Sequence, residues 1–181
     1  MQRRRFLQAM PIVAAVGVLA PNARAQQSDI LIAYFSRTGN TRVIANQIKR
    51  ERNAAIYEIE AATPYPEDYQ TTVAQASRET SGGYLPPLKT SVPDLSLFNA
   101  IYLGFPIWGM TMPPVVKSFL RSTNLSGKTV YPFVTHGGFG IGNSLGVLTS
   151  LATEADIKVP FSMEADQERR TLDGVRSWLA A

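Results

Sequence analysis

Six consecutive residues carry the clearest chemistry in this chain: Ser36, Arg37, Thr38, Gly39, Asn40 and Thr41. The apolar run before them, Ile30 to Phe35, reads as a buried strand, and helical spacing begins at Thr41, so three hydroxyls fall where a strand becomes a helix. Backbone amides in a helix's first turn have no intrahelical acceptor, and the helix dipole is positive there. A phosphate at that point gains hydrogen bonds and a favourable field together. Gly39 permits close approach of the backbone, and the hydroxyls donate without adding charge. Ser, Thr and Asn also cap ordinary helices, but one cap needs one such residue. Here Ser36, Thr38, Asn40 and Thr41 stand together beside a glycine. No lysine lies in the loop, which disfavours a nucleoside-triphosphate cradle of the Gly-Lys-Ser/Thr type.

Two further loops have compositions suited to a planar ligand. Pro106, Ile107, Trp108 and Gly109, followed by Met112-Pro113-Pro114, make a proline-stiffened bend that presents a tryptophan beside a glycine. Thr135, His136, Gly137, Gly138, Phe139 and Gly140 form a glycine-rich stretch whose amides can lie flat against a ring. An aromatic plane on one side and bare backbone on the other suit a ring system such as a flavin. His136 is the only histidine, and with no cysteine in the chain it reads as a loop residue with a possible hydrogen-bonding or proton-relay role, not as a metal ligand. The pattern Gly140-Ile141-Gly142 continuing to Gly146 mimics a nucleotide fingerprint. It follows the fourth strand instead of the first and has no acidic residue ending the next strand, so it belongs with the ring-facing loop.

Positioning three such loops together requires a particular frame. Apolar runs alternate with amphipathic stretches: strands over Ile30–Phe35, Ala55–Ile59, Ala100–Gly104, Thr129–Thr135 and Ile157–Phe161, and helices over Thr41–Arg52, Pro66–Thr80, Pro113–Arg121, Gly142–Thr153 and Gln167–Leu179. This fivefold βα alternation predicts an α/β domain, a doubly wound parallel sheet between helical layers, with ligands beyond the carboxyl ends of the strands at the topological switch point. Ser81–Ser96, rich in Gly, Pro and Ser, is expected to be a surface connection. Trp178 falls on the apolar face of the last helix and is assigned to the core.

The chain resembles the flavodoxin-like family over essentially all of residues 26–181. The resemblance is carried by Tyr34 to Thr41, by Pro64-Tyr65-Pro66-Glu67-Asp68-Tyr69, by Gly104 to Gly109 with Met112 to Val115, and by Thr135-His136-Gly137-Gly138, in order and spacing. It implies a three-layer five-stranded fold with strand order 2-1-3-4-5 and FMN as cofactor. Ser36, Arg37, Thr38, Gly39, Asn40 and Thr41 would surround the phosphate; Pro106 to Gly109 and Thr135 to Gly140 would line the ring. The function implied is electron transfer. An FMN-dependent quinone or nitro reductase, and a flavin-free domain of the same fold, are the alternatives.

Residues 1–25 read as an export signal: Arg3-Arg4-Arg5 with Phe6-Leu7 resembles the twin-arginine type, an apolar run follows, and Ala23-Arg24-Ala25 resembles a cleavage site. The apolar run is too short to span a bilayer. The expectation is a periplasmic protein of residues 26–181 with no membrane-spanning segment. The full chain carries 18 basic and 14 acidic side chains, but the signal holds four of the arginines, leaving fourteen of each sign. Neutrality gives no ground for nucleic acid as a partner and removes strong charge steering toward a redox protein. Reduced nicotinamides are not expected in the periplasm, so a redox partner protein or a quinone or quinol is the expected electron partner.

Overall fold

A computed structural model describes residues 28–165 and 168–181; the expected export signal lies outside them. In chain order the elements are β1 (Ile30–Tyr34), α1 (Asn40–Arg52), β2 (Ala55–Glu58), α2 (Tyr69–Ser81), a 3-10 turn at Leu95–Leu97, β3 (Ala100–Pro106), α3 (Pro114–Arg121), β4 (Thr129–His136), α4 (Ser144–Leu151), β5 (Asp156–Ile157), β6 (Phe161–Glu164) and α5 (Glu168–Leu179). All strand pairs are parallel, in the order β2-β1-β3-β4-β5, with β6 also on β4. This is the expected doubly wound order. Among the described residues, no helix is long and apolar enough to cross a membrane.

Alternation along the strands divides the core in two, as the period of two requires. Leu31, Ala33 and Phe35 of the first strand region join Ile101, Leu103 and Phe105 beneath α3 and α4, with Val115, Val116, Phe119 and Leu148. Ile32 and Tyr34 turn the other way and meet Ile44 and Ile48 of α1 and Val175 of α5. The sheet between them is apolar on both faces, as parallel sheets are. Gly104 is needed here, because a Cβ at that position would lie 2.1 Å from the ring of its cross-strand partner Phe133.

The fifth strand differs from the uninterrupted run expected over Ile157–Phe161. It comes in two pieces: Asp156–Ile157 pair with Thr129–Val130, and Phe161–Glu164 pair with Phe133–His136. Between them Lys158, Val159 and Pro160 stand opposite only Tyr131 and Pro132, one residue too many, which is a bulge. Proline chemistry accounts for its place. Odd-numbered β4 residues bond toward β3, as Ile107 N–H to Thr135 O does; even-numbered ones bond toward the edge, as Lys158 N–H to Val130 O does. Pro132 is even, so its missing N–H faces the break, where Pro160 also has none to give.

The second departure is α2. The sequence pattern treats it as a crossover helix covering the sheet, yet its main packing partner is α3. The segment after it does the covering. Leu88, Val92, Leu95 and Phe98 pack into the core, and the chain is stitched down by an isolated bridge between Ala61 and Leu88, by Lys89 N–H to Glu60 O, and by Tyr57 Oη donating to Thr90 O. The expected surface connection is therefore partly core.

Candidate functional site

The carboxyl ends of β1, β3 and β4 open onto one cavity of about 470 Å³, within the size of a ligand pocket. Its first wall is the β1–α1 loop. Gly39 adopts φ 98° as the N-cap of α1 and has no side chain of its own to cap it, and no acidic residue occupies the first turn. Ser36 organises the loop from within, its Oγ accepting from Gly39 N–H at 3.2 Å and Arg42 N–H at 3.3 Å. Both lone pairs are thereby engaged and the Ser36 O–H remains a donor. Thr41 is differently placed: its hydroxyl is buried and shares a 2.9 Å hydrogen bond with the buried hydroxyl of Thr135. That pair ties the start of α1 to the end of β4. Arg37 donates through Nη1 to Glu67 O at 3.0 Å, linking the loop to the segment ahead of α2.

The loop after β3 is the second wall. Trp108 and Thr111 exchange both backbone hydrogen bonds at 3.0 Å, and the two residues between them have positive φ, Gly109 at 53° and Met110 at 64°. This is a two-residue turn of type I′. Met110 is the strained member, since a non-glycine side chain gains nothing in the left-handed region. The turn is held from outside by Asn143 N–H donating to Met110 O at 2.9 Å, where Gly142 comes so close that a Cβ would lie 2.0 Å from that oxygen. The Gly140–Gly146 glycine pattern is thus partly explained by packing of one loop against another. The Trp108 ring meets Tyr65 edge-on at 4.8 Å and Phe35 at 5.2 Å, which fixes it by packing while it lines the cavity.

The third wall is the end of β4. Thr135, His136 and Gly137 line the cavity, and the strand end is anchored on both sides by Ile107 N–H to Thr135 O and Ala165 N–H to His136 O, each 2.8 Å. Of the residues expected at the site, Ser36, Arg37, Thr38, Asn40, Thr41, Pro106, Ile107, Trp108 and Gly109 join these three around one space. Gly39 acts through backbone geometry. Gly138, Phe139 and Gly140 stand outside the lining, with Phe139 83% exposed.

A fourth wall was not anticipated. Tyr69, Thr72, Val73, Ala76, Ser77 and Thr80 present one face of α2 to the cavity. Asp68 starts that helix, its Oδ1 accepting from Thr71 N–H and Thr71 Oγ1, which together hold the Asp68 carboxyl below the usual range. Tyr65 donates to the buried Glu79 at 2.7 Å, and Gln75 donates to the other oxygen at 2.8 Å. Burial first, and then Glu79, push the Tyr65 phenol well above its ordinary pKa. A sequence signal for this wall exists: α2 contains no Leu, Ile or Phe, so it lacks the broad apolar stripe of a sheet-covering helix. Among the described residues no group of three or more His, Asp or Glu side chains could hold a metal ion.

These features define a class, a doubly wound α/β domain with a cavity at the switch point, where such folds bind ligands. The family model described as flavodoxin matches residues 29–179, and the chain belongs to the flavodoxin family. Among solved structures it is similar to a protein of Bacteroides eggerthii with a provisional flavoprotein assignment, at 30% identity and TM-score 0.73 over 84% of this chain and 96% of that one. A Bacteroides uniformis protein of like assignment has 27% identity and TM-score 0.74, covering 86% of this chain and 100% of its own. The fold is shared with a Lactobacillus acidophilus flavoprotein in complex with FMN, at 19% identity and TM-score 0.64 over 81% of this chain and 99% of that one. No curated protein matches the chain.

Proposed function

We propose that this protein binds FMN and transfers electrons, and that it works after export to the periplasm. One observation carries the reading: the acid-free N-terminus of α1 and the Trp108 loop open on the same cavity, so a phosphate and a ring have separate, suitable places in one space. Membership of the flavodoxin family and the FMN complex of the Lactobacillus acidophilus protein support the choice of ligand. Thr38 and Ser36 hydroxyls with the first-turn amides would hold the phosphate, while Pro106 to Gly109 and Thr135 to Gly137 would flank the ring. When bound, FMN supplies the redox chemistry. The chain's own contribution is to bind, orient and shield it: the helix terminus receives the dianion, the aromatic cluster of Phe35, Tyr65 and Trp108 excludes water on one side, and the α2 face closes another.

The cavity also bears on the electron partner. Among the described residues Arg37 is the only permanently charged side chain along its lining, and it is already engaged by Glu67 O. A pyrophosphate-bearing nicotinamide would need more cationic partners than this. The exposed Tyr69 and Val73 instead make an apolar flank, favouring a quinone, a quinol or an uncharged patch on a partner protein. The reading is tested by the visible absorption spectrum of the purified protein and by identifying the released chromophore. Flavin bands with equimolar FMN are expected; a colourless protein that also fails to bind added FMN would overturn the assignment.

A further inference from the structure

His136 sits at the end of β4, lines the cavity, and accepts a hydrogen bond on Nδ1 from the Gly138 amide at 3.1 Å. A backbone N–H is an obligate donor, so the ring nitrogen facing it must offer a lone pair. The neutral imidazole then carries its proton on Nε2. Gly137 supplies the peptide that turns this N–H back toward the ring, and Gly138 itself continues at φ 101°, which other residues rarely adopt. The backbone of His136 is fixed in turn by Ala165 N–H on its carbonyl at 2.8 Å. The backbone and the ring of His136 are thus each held by one hydrogen bond, and the nitrogen left for a ligand is a donor.

From this we infer that His136 is a hydrogen-bond donor, through Nε2–H, to a carbonyl oxygen of a planar ligand in the cavity. The tautomer fixed by Gly138 gives the chemistry its direction, because an Nε2–H recognises an acceptor and rejects another donor. Two sources share that chemistry: a carbonyl of the cofactor's own ring system, and a carbonyl of an oxidised substrate such as a quinone. The inference rests on the FMN reading for the identity of the ligand, but the tautomer itself does not depend on it.

The chain has one histidine, so the imidazole signals of the tag-free protein have a single origin. Nitrogen-15 NMR of the uniformly labelled protein stripped of ligand is expected to give an Nε2–H tautomer; a predominantly Nδ1–H ring would overturn the inference whether or not FMN binds. Gln places an amide near Nε2 and Asn places one near Nδ1, so His136→Gln should retain function that His136→Asn and His136→Ala lose. Two readouts separate the sources. A loss of about tenfold in FMN affinity in His136→Ala, restored in His136→Gln, assigns the acceptor to the cofactor. Unchanged FMN affinity with a similar loss in the rate at which p-benzoquinone reoxidises dithionite-reduced protein, again restored by Gln, assigns it to the substrate. If His136→Gln is no better than His136→Ala in both readouts, the donor role is wrong.

Discussion

Hydroxyls that look equivalent in the β1–α1 loop have separate duties, and substitutions should divide them. Thr38 lines the cavity with no structural partner drawn from the loop's internal bonds, whereas Thr41 is buried against Thr135. Thr38→Ala is expected to weaken FMN by about tenfold, the worth of a hydrogen bond to a charged group, and to leave riboflavin affinity unchanged. Calorimetric titration with both ligands checks this, and equal losses would remove the phosphate assignment. Thr41→Val should act on stability, costing about 1–2 kcal/mol by leaving the Thr135 hydroxyl unpaired. Adding Thr135→Val should cost less than a second such loss, since neither hydroxyl is then stranded; denaturant melts of the three variants give the coupling. Met110 offers a gain in the opposite direction. Replacing it with Asn, which tolerates the left-handed region its φ of 64° demands, should stabilise the fold by about 0.5–1 kcal/mol.

At the scale of elements, the loops depend on one another more than on their own composition. Gly142→Ala would drive a Cβ into Met110 O and should destabilise by about 3 kcal/mol through combined overpacking and backbone strain. Its signature is a lost Trp108 fluorescence environment at temperatures where the far-ultraviolet signal is still native, because the turn bearing Trp108 loses its support. Much of the element plan was legible in the sequence, since the strands of a parallel sheet are unbroken apolar runs and the loops between them announce themselves by Gly, Pro and hydroxyls. The polar, glycine-bearing β1–α1 loop was legible because its composition is local. What escaped was non-local. The positioning of α2 depends on Tyr65 reaching Glu79 and on Leu88 and Val92 covering the sheet in its stead, partners separated by stretches whose path the spacing does not encode. The split of the fifth strand depends on which way Pro132 faces, a matter of register. Phe139 was expected at the ring as part of the Thr135–Gly140 loop that the resemblance implies; it stands outside the cavity lining, since position in a loop does not say on which side a side chain emerges.

For the molecule as a whole, three tyrosines contribute to the loss of stability at alkaline pH. Burial is the first cause that raises Tyr34, Tyr65 and Tyr102 above the ordinary phenol pKa, with Glu58 and Glu79 adding to the first two. In the unfolded chain each ionises near pH 10, while the folded protein keeps its proton, so above that pH the native state binds more protons and stability falls as pH rises. Below pH 10 the contribution is complete. Tyr65→Phe should flatten the alkaline limb of the stability curve by up to about 1.4 kcal/mol per pH unit, measured as urea midpoints from pH 9 to 12; an unchanged slope would mean that Tyr65 is not the buried phenol described.

The interrupted fifth strand has one more consequence. The outer side of β5 and β6 is where another chain would add itself as a further strand, and there the sheet presents a bulge, a proline, and the Lys158–Asp156 ion pair at 2.7 Å. A continuous edge is a template for aggregation; this one has its hydrogen-bonding row broken in the middle and charged beside the break. The two prolines that cost the sheet its regularity also keep one molecule from becoming the seed of a fibre.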